Sequence, residues 1–296
     1  MHAALIVNAH SGRSRSTVSE LPDLLAARGV SLDYFKMVDN EPDLRKHVKR
    51  ARKSGIGHII VGGGDGSMAT AVDVLAKHEA VLGVLPLGTG NSFARTIGLD
   101  DSLERALDAM LHPRIECVDV GRVNGTYFAN FATIGLSAEI AAAVPHRLKR
   151  VLGAASYVVA GIVPFVNQRP FRAKISWDRG NETIETVQMV IASGRFFGHQ
   201  PIAPDATALD HRLAFFTTTG TSHAEIARMY LALGLGLQDR LPDAVTFSAR
   251  EIVVKTKPKV PISIDGNAFG ETPARFCVVS RALRVIVGPD FDAVSR

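Results

Sequence analysis

Short apolar runs rich in β-branched residues punctuate the first part of the chain at Ala3–Val7, Val30–Phe35, His58–Val61 and Val81–Leu85. Between them lie segments with helical spacing. Met68 to Lys77 carries Ala, Val and Leu on one face, Pro42 opens a second helix in its first turn, and Asn91 to Ile97 starts a third. Strands alternating with helices predict a parallel α/β sheet over residues 1–122. Beyond Gly121 the texture changes to closely spaced strand-like runs: Tyr127–Phe131, Ala173–Trp177, Thr186–Ala192, Leu213–Thr217, Ala244–Ser248, Glu251–Lys255, Pro261–Ile264 and Phe276–Val279. These predict a β-rich antiparallel sandwich over residues 123–282, with a helical insertion near residues 147–166. No internal repeat or low-complexity linker interrupts the pattern.

Two glycine-rich loops sit at the predicted strand ends. Gly62-Gly63-Gly64-Asp65-Gly66-Ser67 follows the third run, and Gly88-Thr89-Gly90-Asn91-Ser92 follows the fourth after Pro86. Each leads into a helix, where free N–H groups and the helix dipole favour an anion and glycine lets backbone approach phosphate oxygens. One such turn is commonly structural. Two, with a carboxylate in the first and hydroxyls in both, point to a nucleotide site at the carboxyl ends of parallel strands, together with Asn8 at the end of the first run. A side chain introduced at Gly64 is expected to meet the phosphates. No Gly-Lys-Ser/Thr follows at Walker spacing, and the strand after Gly64-Asp65-Gly66-Ser67-Met68-Ala69 ends in Pro86-Leu87 without the acid a dinucleotide ribose requires. Asp65 is the candidate general base; an Asx-turn or helix cap is the plain structural alternative.

Composition narrows the class. A chain of 296 residues with 46% hydrophobic and 21% charged residues is globular and long enough for two domains. Cys117 and Cys277 form no disulfide framework, which fits a reducing cytoplasm, and the start at Met1 lacks the basic region of a secretory signal. The apolar stretches Ala154–Val166, which contains Pro164, and Leu231–Leu237 are too short to span a bilayer. The net charge of +5 suits an anionic membrane surface, whereas no nucleic-acid-binding motif is present. Basic residues cluster at Arg45, Lys46, Lys49, Arg50, Arg52 and Lys53, most simply a solvated helix face. A second cluster at His146–Arg150 precedes an apolar stretch, and Arg147 and Arg150 are candidates for headgroup or nucleotide contact. The ten histidines show no zinc spacing, and a Gly-x-Ser-x-Gly elbow is absent.

Asn8 with Ser11-Gly12, Gly63-Gly64-Asp65-Gly66-Ser67 and Leu87-Gly88-Thr89-Gly90-Asn91-Ser92-Phe93-Ala94-Arg95 resemble the catalytic domain of the diacylglycerol kinase and sphingoid/ceramide kinase family. Asp119–Asn124, Asn130–Ile140, Tyr157, Ser193–Ala206 and Ile264-Asp265-Gly266 follow in the family's order, so the resemblance spans nearly the whole chain. It implies an ATP-dependent lipid kinase with an NAD-kinase-like first domain to which the end of the chain, 283–296, returns. It also implies nucleotide contacts from Asn8, Ser11, Gly12, Gly63, Gly64, Gly66, Ser67, Gly88, Thr89, Gly90 and Asn91, catalytic roles for Asp65 and Asp265, and a divalent cation, with magnesium expected, near Asp119 and Asp210. The substrate is then a lipid met peripherally at the inner face of the membrane, with ceramide narrowly ahead of diacylglycerol or a sphingoid base. A homodimer is left open.

Several positions depart from the family pattern. Ser67 replaces a threonine and keeps its hydroxyl, but Thr70, Ser92 and Asn267 stand where carboxylates are usual, and Asp210-His211-Arg212 replaces an Asp-Gly pair. The residue at 267 belongs, by the resemblance, to the catalytic apparatus of bacterial diacylglycerol kinases, and an amide cannot accept a proton as a carboxylate does. Either Asp65 or Asp265 supplies the base alone, or the chain is a catalytically weak nucleotide-binding or lipid-binding relative.

Overall fold

The structure is a computed structural model that describes residues 1–10, 12, 15–143, 169–197, 200–201, 207–235 and 237–294. The expected helical insertion at 147–166, with Arg147, Arg150 and Tyr157, lies outside the described residues, as does Ser11. The chain forms two compact units, Met1–Val120 with Thr207–Leu209 and Val279–Arg296, and Gly121–Ala206 with Asp210–Val278.

In the first unit, β1 (His2–Asn8), α1 (Arg15–Ala26), β2 (Ser31–Val38), α2 (Glu41–Lys53), β3 (His58–Gly63), α3 (Asp65–Leu75), β4 (Val81–Pro86), α4 (Ser92–Thr96) and α5 (Leu103–Leu111) follow in order. β1 pairs in parallel with both β2 and β3, and β3 pairs in parallel with β4. Central strands of such a sheet are covered on both faces, which is why Ala3–Val7 and Ile59–Val61 read as unbroken apolar runs and are buried throughout. α2 shows the local rules plainly. Asn40 caps it by accepting the Asp43 N–H at 2.8 Å, Pro42 sits in its first turn, and Leu44, Val48 and Ala51 form its buried stripe.

β5 (Arg114–Val123) leads into the second unit. There β6 (Thr126–Phe128), β7 (Phe131–Gly135), α6 (Leu136–Ala143), β8 (Phe171–Trp177), β9 (Gly180–Thr186), β10 (Gln188–Ala192), β11 (Phe196–Phe197), β12 (Gln200–Pro201), β13 (Leu213–Thr218), α7 (His223–Leu235), β14 (Ala244–Ala249), β15 (Glu251–Lys257), β16 (Pro261–Ile264) and β17 (Asn267–Glu271) follow. An antiparallel sheet runs β14-β13-β10-β7-β16-β17, and a second pairs β15 with β8, β8 with β9, and β15 with the first half of β18 (Ala274–Val287). Phe128, Ile134, Phe171, Met189, Ile191, Phe215, Ile252 and Phe276 share one core between them. On the opposite face of the six-stranded sheet, Val190 and Phe216 pack with Ile226 and Met229 of α7, as strand alternation requires.

The sequence reading needs correction in this unit. Tyr127–Phe131 is two strands broken at Ala129-Asn130, and Thr186–Ala192 is the end of β9 followed by β10. β9 and β17 escaped notice because their exposed, polar residues leave no apolar run to see. The run Phe276–Val279 lies in the first half of β18, a strand of 14 residues.

The second half of β18 completes the first unit. Arg284 and Val285 pair in parallel with Val81 and Leu82, the Lys77 N–H donates to the Ala282 carbonyl at 2.6 Å, and the Gly288 N–H donates to the Ile97 carbonyl at 2.8 Å. Tight seating follows, since a Cβ on Gly288 would lie 2.0 Å from the Gly98 carbonyl oxygen. α8 (Phe291–Val294) ends the described chain. Leu283 is fully buried there. Leu283→Ala is expected to destabilise the protein by about 2–5 kcal/mol in urea unfolding; a loss below ~1 kcal/mol would show that this strand is dispensable to the first unit.

Candidate functional site

The candidate site is built from the ends of β1, β3 and β4. Gly64 is the N-cap of α3, so the first N–H groups of that helix lack intrahelical acceptors and face the loop region, as an anion site requires. The two glycine loops touch. A Cβ on Gly88 would lie 2.5 Å from the Gly64 Cα, and one on Gly64 would lie 3.2 Å from the Gly88 Cα. The loop residues are glycine because one backbone lies on the other, so a side chain at Gly64 meets Gly88 backbone first. That revises the reason expected from sequence, which was direct contact with phosphate. The Leu87 N–H donates to the Gly63 carbonyl at 3.0 Å, joining the loops just before the contact.

Asn91 fixes the second loop. It adopts the left-handed region at φ 50°, its Oδ1 accepts the Gly88 N–H at 3.0 Å, and its Nδ2 donates to the Gly88 carbonyl at 2.9 Å and to Asp101 Oδ1 at 3.0 Å. The other Asp101 oxygen pairs with the Arg95 guanidinium. Asp101 is a supporting residue that sequence reading missed. Its neighbours serve the start of α5, where Asp100 accepts the Ser102 N–H, and its own partner lies ten residues back.

Asp65 opens α3 and reaches across to the second loop, where its Oδ1 accepts the Ser92 N–H at 2.7 Å at the start of α4. The carboxylate therefore acts as a helix cap, the structural alternative, in the middle of the candidate phosphate site. Burial raises its pKa above the ordinary 3.8, opposed by hydrogen bonds from Ser92 and Asn91 and reinforced by the Asp101 charge. Asn8, at the end of β1, places Nδ2 3.4 Å from Ser67 Oγ and accepts the His10 N–H at 3.0 Å. Gly12 has φ +88°, and a Cβ there would lie 3.2 Å from the Leu87 carbonyl oxygen. Gly66 and Ser67 lie in the first turn of α3, while Thr89 is exposed at the crest of the second loop, next to Gly90.

Asp265 lies in the second unit, in the turn between β16 and β17, at φ 46°. Its Oδ2 accepts the Ala129 N–H at 2.7 Å, and its Oδ1 accepts the N–H groups of Asn130 at 2.9 Å and Phe131 at 3.2 Å. The structure thus gives this carboxylate a task other than the expected proton transfer: it holds the strand break at Ala129-Asn130, and taking up a proton would weaken all three bonds. Asn267 begins β17 and pairs with Ile264.

Asp119 and Asp210 also serve backbone, accepting from the N–H groups of Arg281, remote in sequence, and of Arg212, two residues on, each at 2.8 Å. Among the described residues no group of three or more His, Cys, Asp or Glu side chains is placed to hold a metal ion. The donor set among the described residues therefore does not fit a divalent cation by itself. Among the described residues no helix is long and apolar enough to cross a membrane.

Residues 2–123 match the diacylglycerol kinase catalytic domain, and residues 130–287 match the YegS C-terminal NAD kinase beta sandwich-like domain. The chain is 26% identical over 297 residues to a "Probable lipid kinase YegS-like" of Shewanella frigidimarina, covering 98% of this chain and 94% of the relative. It is 24% identical over 295 residues to a "Diacylglycerol kinase" of Staphylococcus haemolyticus, covering 97% and 88%. A chain from Bacillus anthracis str. Sterne superposes with a TM-score of 0.83 at 24% identity, covering 98% of this chain and 96% of that one, which shows a shared fold.

Two measurements test the loop geometry. Gly88→Ala, which drives a methyl into backbone, is expected to weaken ATP binding at least tenfold by calorimetry, and Gly64→Ala less; the reverse order would refute the contact as the reason for glycine. The second concerns Asp65. An acid whose pKa is raised by folding stabilises the fold below its unfolded value, here 3.8, and loses that contribution as the pH rises through the raised value. The melting temperature of the wild type relative to Asp65→Asn should therefore fall as the pH rises above the unfolded value of 3.8, and a constant difference would contradict the raised pKa.

Proposed function

As the chain belongs to the family in which a diacylglycerol kinase catalytic domain is followed by a YegS C-terminal domain, and is thus a lipid kinase, we propose that it transfers the γ-phosphoryl group of ATP to a lipid hydroxyl, diacylglycerol foremost. One observation carries this reading: the glycine loops meet backbone to backbone at Gly64 and Gly88, with the Asp65 carboxylate lodged between them. Phosphoryl transfer asks the protein chiefly to position groups and neutralise charge. The N-terminal amides of α3 and the Gly88–Asn91 loop receive the phosphates, and Gly12 and Asn8 close the same end of the sheet. Asp65 takes the hydroxyl proton, a role favoured by a pKa raised through burial. A divalent cation bound with ATP would supply phosphate charge neutralisation. Asp265 is assigned to positioning the connection between β6 and β7, not to proton transfer.

The narrow preference for ceramide drawn from the sequence has no counterpart among the relatives described above, whose names are lipid kinase and diacylglycerol kinase. Diacylglycerol therefore comes first and ceramide second. The enzyme works from the cytoplasm at the inner face of the membrane in this proposal.

The test is transfer from labelled ATP to diacylglycerol, ceramide, sphingosine and NAD in mixed micelles. A labelled phospholipid from diacylglycerol is expected, and Asp65→Asn should lower kcat by roughly 10²-fold. Asn267→Glu reports on the missing acid: a gain toward diacylglycerol marks a partly decayed site, and a loss marks an acceptor fitted to the amide. ATP binding without transfer to any lipid would replace the kinase by a nucleotide-binding relative.

A further inference from the structure

Asn91 adopts a conformation that its own backbone disfavours. It is a buried non-glycine residue in the left-handed region, at φ 50° and ψ 38°, where the second glycine loop turns into α4. Such a conformation persists only where the surroundings over-determine it. An asparagine in this place ordinarily caps the helix with its side chain, and this one makes no such bond. Its amide is turned onto Gly88 instead, with Oδ1 accepting the Gly88 N–H and Nδ2 donating to the Gly88 carbonyl. One amide hydrogen is left over in a buried place and needs an acceptor. Asp101 Oδ1, at 3.0 Å, supplies it.

The loop that carries Asp101, between α4 and α5, is fixed on both sides. Before it, the Ile97 carbonyl accepts the Gly288 N–H at 2.8 Å. After it, Ser102 caps α5 by accepting the Arg105 N–H at 3.3 Å, and the Arg105 guanidinium bridges Asp100 and Asp290, at 2.6 Å to each. The acceptor is thereby presented from a rigid mount. The other Asp101 oxygen pairs with Arg95, on the last turn of α4. The Arg95 Nε is buried and has no hydrogen-bond partner among the described residues, so Asp101 is what retains the guanidinium there. In return the guanidinium offsets a carboxylate charge that would oppose an anion at the adjoining loop.

We propose that Asp101 is a positioning residue for ATP: by keeping the Asn91 amide on Gly88, it maintains the Gly88–Asn91 turn in the conformation that receives the phosphates. The inference rests on the lipid-kinase reading for the identity of the anion. Without Asp101 the spare amide hydrogen turns to water, the bonds to Gly88 open, and Asn91 relaxes out of the left-handed region. ATP must then re-form the turn as it binds, and its affinity drops in proportion to the fraction of molecules in which the turn is already formed.

Calorimetry of the full chain with ATP, in the absence of lipid, tests it. Asp101→Ala should weaken ATP binding by about tenfold or more, the scale of losing a hydrogen bond to a charged acceptor. Asp101→Asn keeps an acceptor for Asn91 without the charge for Arg95, and should stay within about threefold of the wild type. In an Asn91→Ala background, Asp101→Ala should add less than about twofold, because its effect runs through that amide. Asp108→Ala, which breaks the exposed pair with Arg28 on α5, should leave ATP binding unchanged. Turnover gives a further readout: in Asp101→Ala the KM for ATP should rise while kcat and the KM for the lipid remain as in the wild type. Unchanged ATP affinity in Asp101→Ala, or losses that add in the double variant, would overturn the proposal. An Asp101→Asn variant as weak as Asp101→Ala would overturn it in favour of the Arg95 pair, and a melting temperature lower by more than about 5 °C in Asp101→Ala would overturn it in favour of a structural role. ATP binding by the wild type without transfer to lipid would remove the kinase reading and leave this one standing, whereas no ATP binding by the wild type would remove both.

Discussion

The approach of Gly64 to Gly88 governs the candidate site, because it leaves no room for a Cβ at Gly88 and only a tight fit for one at Gly64, and turns two separate strand ends into one backbone surface. A methyl at 2.5 Å from a Cα cannot be relieved by a side-chain rotation; the strands carrying the loops would have to separate. β3 and β4 are paired in parallel from His58 to Gly63 against Val81 to Pro86, so such a separation would strain the centre of the sheet. The polar bonds around the contact then follow. Leu87 joins Gly63, Asn91 closes on Gly88 from both sides, and Asp65 spans from the start of α3 to the start of α4.

The aspartates singled out as site candidates are occupied by backbone. Asp65, Asp119, Asp210 and Asp265 each accept one or more N–H groups, and Asp101 takes Asn91 and Arg95. A negative acceptor offered to an amide in a desolvated place forms a strong bond, which explains aspartates at strand breaks and helix starts. It also separates the roles. Asp265 has three amide partners and a left-handed backbone that fixes its direction, whereas Asp65 has its amide partner across the two glycine loops of the candidate site.

The C-terminal strand binds the ends of the chain into the architecture. β18 contributes its first half to the antiparallel second unit and its second half to the parallel first unit, so one extended segment obeys two pairing rules. Its buried residues Leu283, Val285, Ile286 and Val287 form the apolar run that a covered parallel strand needs, and Gly288 seats against Gly98 where a side chain would collide.

From sequence alone, the parallel strands of the first unit, the placement of both glycine loops at strand ends and the kinase resemblance were legible, because buried strands and phosphate loops leave local signatures in β-branched runs and glycine spacing. Most longer strands of the second unit were visible for the same reason, while β5, β9 and β17 were not, since their exposed polar residues resemble loops, nor were β11 and β12, which are two residues each. Tertiary structure decided what spacing cannot encode. It showed that Gly64 and Gly88 are glycine on account of each other, that Asp101 braces Asn91, and that Asp265 holds residues more than a hundred positions earlier in the chain. Those are contacts between segments remote in sequence, and no local pattern in either partner records the other.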